Sequence, residues 1–464
     1  MVRHLFYQFG ILELDFKTAL KRVSYQIDST IYSMFILYPF QRILNFVYGI
    51  EYILLPNEIC AATSAMLLGF SCKRFGGNKT GYFAVILAAF SQAYIINAAY
   101  QYRIYAFLLL VSTFILLFYL KRNFQIMKEN LYDKKTLIVF GIALFLLVEE
   151  HGVTILLPLF LFLFDVYLCY RKKLQVKVLF SYILAGVLYL PKLIYILATN
   201  GWPTDDWRPA SNIMSFLNIF FDYMIRIDIV KVIFIAGVFL AAILFSKSKI
   251  KNCNWRIVSL CGAITAIFGA FLTAFVYSGA INPKGSFFVD RYFLFLLPWM
   301  FFVCAFVFNA FLTALSKNRQ IISSVFCLVF ASYFAVTVYP GIYFAMKGNQ
   351  EWFVSRYNLN RINYLFAQDD IYDKDVGVII SYATAIGEFN GIKAFYISKY
   401  GRQDVFQIIS AQDLERETFN KVFLIPLLSP NFHETLQDIE KIKSLGFKET
   451  ARLDNLGIMV YEKR

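Results

Sequence analysis

TLIVFGIALFLLVEEHGVTILLPLFLFLFDVYLCY, residues 136–170, is a 35-residue apolar stretch broken near its centre by Glu149, Glu150 and His151. A membrane-spanning helix needs about 20 mostly apolar residues. The stretch therefore reads as two spans, 136–150 and 153–170, that turn at the acid–acid–histidine triplet. Lys134 and Lys135 precede it, and Arg171, Lys172 and Lys173 follow it. Basic flanks stay on the cytoplasmic side, which puts the triplet on the outer side.

The same pattern extends in both directions. Apolar runs at 54–71, 80–98, 104–120, 178–198, 229–246, 257–278, 292–312 and 320–340 bring the expected number of spans to ten. Five loops, 71–79, 121–135, 171–177, 247–256 and 314–319, hold 18 Lys and Arg against two acids, Glu129 and Asp133. They alternate with neutral, acidic or mixed loops at 99–103, 149–152, 199–228 and 279–291. All five basic loops fit one orientation, with the other loops and the C-terminal region outside.

Composition agrees. Of 464 residues, 59% are hydrophobic and 16% charged, against about 45–50% and 25% in soluble domains. This excludes disordered, collagen-like and disulfide-scaffold classes. The net charge of +14 does not mark a nucleic-acid surface. Residues 1–344 hold 30 Lys and Arg and 15 acids, and 18 of those basic residues lie in the five cytoplasmic loops. The seven cysteines, Cys60, Cys72, Cys169, Cys253, Cys261, Cys304 and Cys327, fall in spans or cytoplasmic loops, so no disulfide framework is expected. No CxxC pair, P-loop, GxGxxG or internal repeat is present.

Three regions follow: an acidic loop and membrane-surface helices at 1–53, a helical bundle at 54–344, and a small soluble α/β domain at 345–464. Segment 29–53 is apolar but contains Pro39, Gln41, Arg42 and Asn45, which are costly in hydrocarbon. It either lies along the outer surface or spans with residues 1–28 cytoplasmic. The surface reading, preferred here, implies that a first span precedes Met1. In the C-terminal region, 375–381, 405–409, 422–426 and 456–461 read as strands. Residues 388–399 and 432–445 read as helices, with Gly446 as a C-cap.

Polar groups gather at the outer span ends. Gln101, Arg103 and Tyr105 open the third span, Glu149, Glu150 and His151 close the fourth, and Asp290, Arg291 and Tyr292 open the ninth. Asp15 and Asp28 lie outside in the preferred topology. Ionisable residues at membrane depth usually face a cavity or a partner, although Arg and Tyr also serve as interfacial anchors. Four clusters on one face suggest one external cavity.

The order of these features resembles the C-type membrane glycosyltransferases, specifically the bacterial relatives of protein O-mannosyltransferases and aminoarabinose transferases. It is carried by Asp15 in LELDF, Tyr100–Phe107 (YQYRIYAF), His151 and Arg291–Pro298 (RYFLFLLP), in that order. The chain departs from the family where Phe16 follows Asp15, where Asp28–Ser33 reads DSTIYS, and where Gln101 stands for a glutamate.

The resemblance implies a donor sugar on a polyprenyl phosphate and an acceptor that is a glycan, a lipid or a protein. It also implies a bacterial inner or plasma membrane, with the active site on the outer face. In an inverting transfer Asp15 would act as base, with Asp28 second. Arg103 and Arg291 would hold phosphate oxygens. Glu149 and His151 would orient these groups or bind sugar hydroxyls, and Gln101, Tyr105, Glu150 and Tyr292 would complete the substrate site. No metal ligands are assigned, although the resemblance leaves room for a divalent cation between the acids and the phosphate. The 199–228 loop, with Trp202 and Trp207, reads as a substrate gate. Two other classes remain open: an O-antigen-type polymerase or ligase, and a lipid-linked glycan flippase or transporter.

Overall fold

The computed structural model of the protein describes residues 55–94, 104–198, 212–224, 228–247, 254–281 and 290–314. In the C-terminal part it describes 364–365, 367–373, 375–381, 407–409, 413–415, 419–426, 433–453 and 458–463, with a few single positions between. The chain divides near residue 344 into a helical unit and an α/β unit.

The helical unit contains α1 (Leu55–Gly76), α2 (Asn78–Ala89), α3 (Tyr105–Lys128), α4 (Lys134–Glu150), α5 (Leu156–Tyr170), α6 (Phe180–Ala198), α7 (Asp228–Lys247), α8 (Trp255–Val276) and α9 (Leu297–Ala314). Local chemistry sets several ends. Pro158 and Pro298 sit in the first turns of α5 and α9, where a missing N–H costs nothing. Asn254 caps α8 by accepting from Arg256 N. Asp133 caps α4: its Oδ2 accepts from Thr136 Oγ1 at 2.6 Å and its Oδ1 from Lys135 N at 3.1 Å. These bonds, the Thr136 hydroxyl first, hold the Asp133 carboxyl below the usual carboxylate range. Helices α1 and α2 meet at glycines, because a Cβ on Gly81 would lie 2.7 Å from the Gly69 carbonyl oxygen.

Among the described residues, five helical stretches are long and apolar enough to cross a membrane: Tyr105–Lys128, Gly152–Tyr170, Val176–Ile194, Trp255–Gly279 and Tyr292–Phe311. The protein is an integral membrane protein. The last of these stretches is the centre of the unit. Of its apolar window 83% is buried, against 22% for Val176–Ile194 at the periphery. Helix α9 packs against α1, α2, α3, α7 and α8.

Helices occupy most of the expected intervals among the described residues, but 80–98 is not one helix. Helix α2 ends at Ala89, the helix breaks at Phe90 and Ser91, a short helical turn Gln92–Tyr94 follows, and 95–98 lie outside the described residues. Interval 320–340 lies almost wholly outside the described residues. Interval 104–120 continues as helix to Lys128, so Arg122 is not a solvated loop charge. It is buried, and pairs with Asp165 of α5. Interval 136–150 is α4, 17 residues long, and its polar end, Glu149 and Glu150, is buried.

The α/β unit is built on a five-stranded sheet of order β2-β1-β3-β5-β4. Its strands are β1 (Val376–Ser381), β2 (Gln407–Ile409), β3 (Lys421–Pro426), β4 (Phe447–Leu453) and β5 (Ile458–Lys463), with α10 (His433–Ser444) before β4. Strands β2, β1 and β3 are parallel, and β3, β5 and β4 antiparallel. Val422, Leu424, Met459 and Tyr461 share a core with Ile442 of α10. Gly446 ends α10 with φ +90°, a conformation that favours glycine. The sequence reading did not anticipate β4. It is an edge strand exposed along most of its length, and FKETARL carries no apolar alternation. The expected helix at 388–399 lies outside the described residues.

Candidate functional site

The acid–acid–histidine triplet closes α4. Glu149 and Glu150 are both buried, at 7% and 3% exposure. His151 leaves the helix in an extended conformation and caps the short 3-10 turn Gly152–Ile155. Its Nδ1 accepts from Val153 N at 3.4 Å. In a neutral ring this places the proton on Nε2, so the imidazole can offer an N–H donor. Thr154 Oγ1 lies 2.6 Å from both the Leu147 and the His151 carbonyl oxygens, which ties the turn back onto α4.

A second turn meets the first. Residues Asp290–Leu296 form a 3-10 segment that leads into α9 and packs against both the Gly152–Ile155 turn and α3. The His151 ring lies 4.4 Å from the Tyr292 ring, at 52°. Tyr292 is buried. Ser112 of α3 donates to the Phe295 carbonyl, and Trp299 Nε1 of α9 donates to Ser112 Oγ at 3.0 Å. These bonds hold α3, the second turn and α9 together.

A third element arrives from α6. Lys192 Nζ lies 2.9 Å from Glu149 Oε1 and 2.5 Å from the Glu149 carbonyl oxygen. Glu149 was singled out from the sequence, but Lys192 was not. The signal was available: an ammonium inside an apolar helix calls for a partner, and Glu149 is the acid at the corresponding end of α4, the helix packed against α6.

The structure thus brings together Glu149, Glu150, His151 and Tyr292. Tyr105 opens α3 on the same core and is buried at 2% exposure. Arg291 is placed by its backbone in the Asp290–Leu296 turn. Asp15, Asp28, Gln101, Arg103, Trp202 and Trp207 lie outside the described residues. Among the described residues, no three His, Cys, Asp or Glu side chains converge on a cation position.

No sequence family and no curated protein matches the chain. Solved structures do match. The apo crystal structure of ArnT from Cupriavidus metallidurans superposes with a TM-score of 0.55 at 11% identity, covering 98% of this chain and 92% of that one. The structure of the same protein bound to undecaprenyl phosphate superposes with a TM-score of 0.50 at 11% identity, covering 92% and 87%. The fold is therefore shared with ArnT, and the resemblance to C-type membrane glycosyltransferases holds at the level of architecture.

Proposed function

We propose that this protein is a membrane glycosyltransferase. It transfers a sugar from a polyprenyl-phosphate donor to a glycan, lipid or protein acceptor on the outer face of the membrane. The observation that carries this reading is the fold shared with ArnT over nearly the whole chain, since ArnT binds undecaprenyl phosphate. The ten-span topology and the external placement of the α/β unit belong to the same proposal, supported by the one-sided basic loops.

In this reading an Asp15 carboxylate takes the proton from an acceptor hydroxyl, with Asp28 as the second acid. The freed oxygen attacks the anomeric carbon, and the bond from that carbon to the phosphate oxygen breaks. Polyprenyl phosphate leaves with the electron pair, and the configuration inverts. Arg103 and Arg291 meet the charge that develops on the phosphate. The Nε2–H of His151 supplies a neutral donor. Gln101, Tyr105, Glu149, Glu150 and Tyr292 shape the site.

The test uses the full-length protein in lipid nanodiscs. Undecaprenyl phosphate should bind saturably. A labelled polyprenyl-phosphate sugar should pass its label to a cell-envelope acceptor fraction while releasing polyprenyl phosphate. Absence of both binding and transfer across a panel of such donors would overturn the proposal.

A further inference from the structure

Lys192 contacts Glu149 twice, through the carboxylate and through the backbone carbonyl. The two contacts do different work. The first places a cation beside a buried acid, at side-chain exposures of 25% and 8%. An acid in that position without a counter-charge would be costly. The second grips the main chain at the end of α4, two residues before His151. The His151 ring leaves the chain there, accepts from Val153 N and meets Tyr292.

Short-range bonds from Thr154 and Val153 tie the turn to the end of α4. Its direction relative to α6 depends on an outside anchor, and Lys192 is one. The anchor is itself well placed. Pro191 precedes Lys192 within α6, and α6 packs along α4, so the ammonium reaches Glu149 from the neighbouring helix.

We infer that Lys192 is a positioning residue: its double contact with Glu149 fixes the end of α4 and thereby sets the orientation of the His151 ring against Tyr292. This rests on the proposed transferase site for its meaning in turnover, while its structural claim can be read separately. Lys192 acts through Glu149 and the main chain. Its removal should therefore change what His151 presents without displacing the donor lipid.

The chain has three histidines, His4, His151 and His433. Ring-nitrogen-labelled histidine in the full-length protein therefore gives a sparse NMR spectrum, and His151→Gln assigns its signals. Lys192→Met should shift the His151 ring-nitrogen signals. Lys192→Arg, which keeps a cation, should leave them near wild type. Glu149→Gln keeps the carbonyl but loses the carboxylate, and should give an intermediate shift; it carries the test if Lys192→Met fails to fold. Unchanged His151 signals in Lys192→Met, or in Glu149→Gln where Lys192→Met does not fold, would overturn the inference.

In the transfer assay, Lys192→Met should lower kcat at least tenfold and change undecaprenyl phosphate affinity less than threefold, with Lys192→Arg recovering most of kcat. An equal loss in both variants would also overturn it. A wild-type protein that neither binds nor transfers would remove the transferase reading, and the NMR result would stand apart from that failure.

Discussion

Arg122 of α3 and Asp165 of α5 form an ion pair in the bundle interior, with Nη1 2.7 Å from Oδ2 and side-chain exposures of 1% and 0%. Arg122 Nη2 donates to Asp165 Oδ1 at 3.0 Å, and Tyr182 of α6 donates to Oδ2 at 2.6 Å. Asn123 extends the network by accepting from Arg122 and donating to Ser259 of α8 at 3.0 Å. The guanidinium also lies over the Tyr119 and Phe140 rings. The hydrogen-bonded network thus joins α3, α5, α6 and α8. Asp165→Ala should destabilise the bundle by about 3–5 kcal/mol, because it leaves a buried cation uncompensated. Arg122→Met with Asp165→Leu should recover most of that loss. Thermal inactivation of the detergent-solubilised protein measures both. A double variant no better than Asp165→Ala would refute the ion-pair account.

The contrast between Arg122 and Glu149 shows what the sequence could convey. Hydropathy placed most of the described helices, because burying a backbone in lipid forces regular hydrogen bonding over a fixed length, but it read 80–98 as one run where the helix breaks at Phe90 and Ser91. It also found the triplet 149–151, because two acids and a histidine have no reason to sit in an apolar run. It placed Arg122 in a loop, because a basic residue after an apolar run looks the same whether the helix stops there or continues and pairs across the bundle. Partner choice is a tertiary fact: Arg122–Asp165 has no local signature, and Lys192–Glu149 shows only when the corresponding ends of two spans are compared. Strand β4 was missed for a related reason: its pairing with β5 fixes it, and its own side chains mostly face solvent.

Asp15→Asn should lower transfer by about 10²–10⁴-fold, as expected for loss of a general base, with insertion and undecaprenyl phosphate binding retained. Turnover against binding in the same nanodisc preparation separates the two. Retained turnover removes Asp15 from the base role.

Arg291→Ala should weaken donor binding and turnover together, since a phosphate would lose a bidentate partner. Arg291→Lys should restore charge but only part of the activity, because an ammonium cannot reproduce the planar fork. Donor affinity by titration, measured beside kcat/KM, is the check. Normal affinity in the alanine variant would count against a phosphate role.

Tyr461 in the α/β unit gives a prediction in alkaline solution. Burial, helped by the nearby Glu449 carboxylate, pushes its phenol up to about 12. The folded state therefore keeps the proton that the unfolded chain releases near its ordinary value of about 10. The stabilising contribution is complete below pH ~10 and is lost as pH rises towards ~12. Amide exchange in peptides covering 447–463 should accelerate beyond its intrinsic pH trend across that window. Tyr461→Phe, lacking the ionisable group, should follow the intrinsic trend. Identical profiles would argue against the shift.

The near-complete burial of Tyr292–Phe311 bears on how the protein is made. During synthesis this stretch leaves the ribosome after α1 to α8, yet it is the element against which α1, α2, α3, α7 and α8 close. Until it arrives, those helices lack the one packing partner that all five share. Maturation of the bundle should therefore come late and all together, instead of helix by helix. Chains stopped experimentally before Asp290 should insert into the membrane yet remain open to protease in their earlier loops. Chains extended through Ala314 should gain protection in one step, and protection that grew gradually with length would speak against this order.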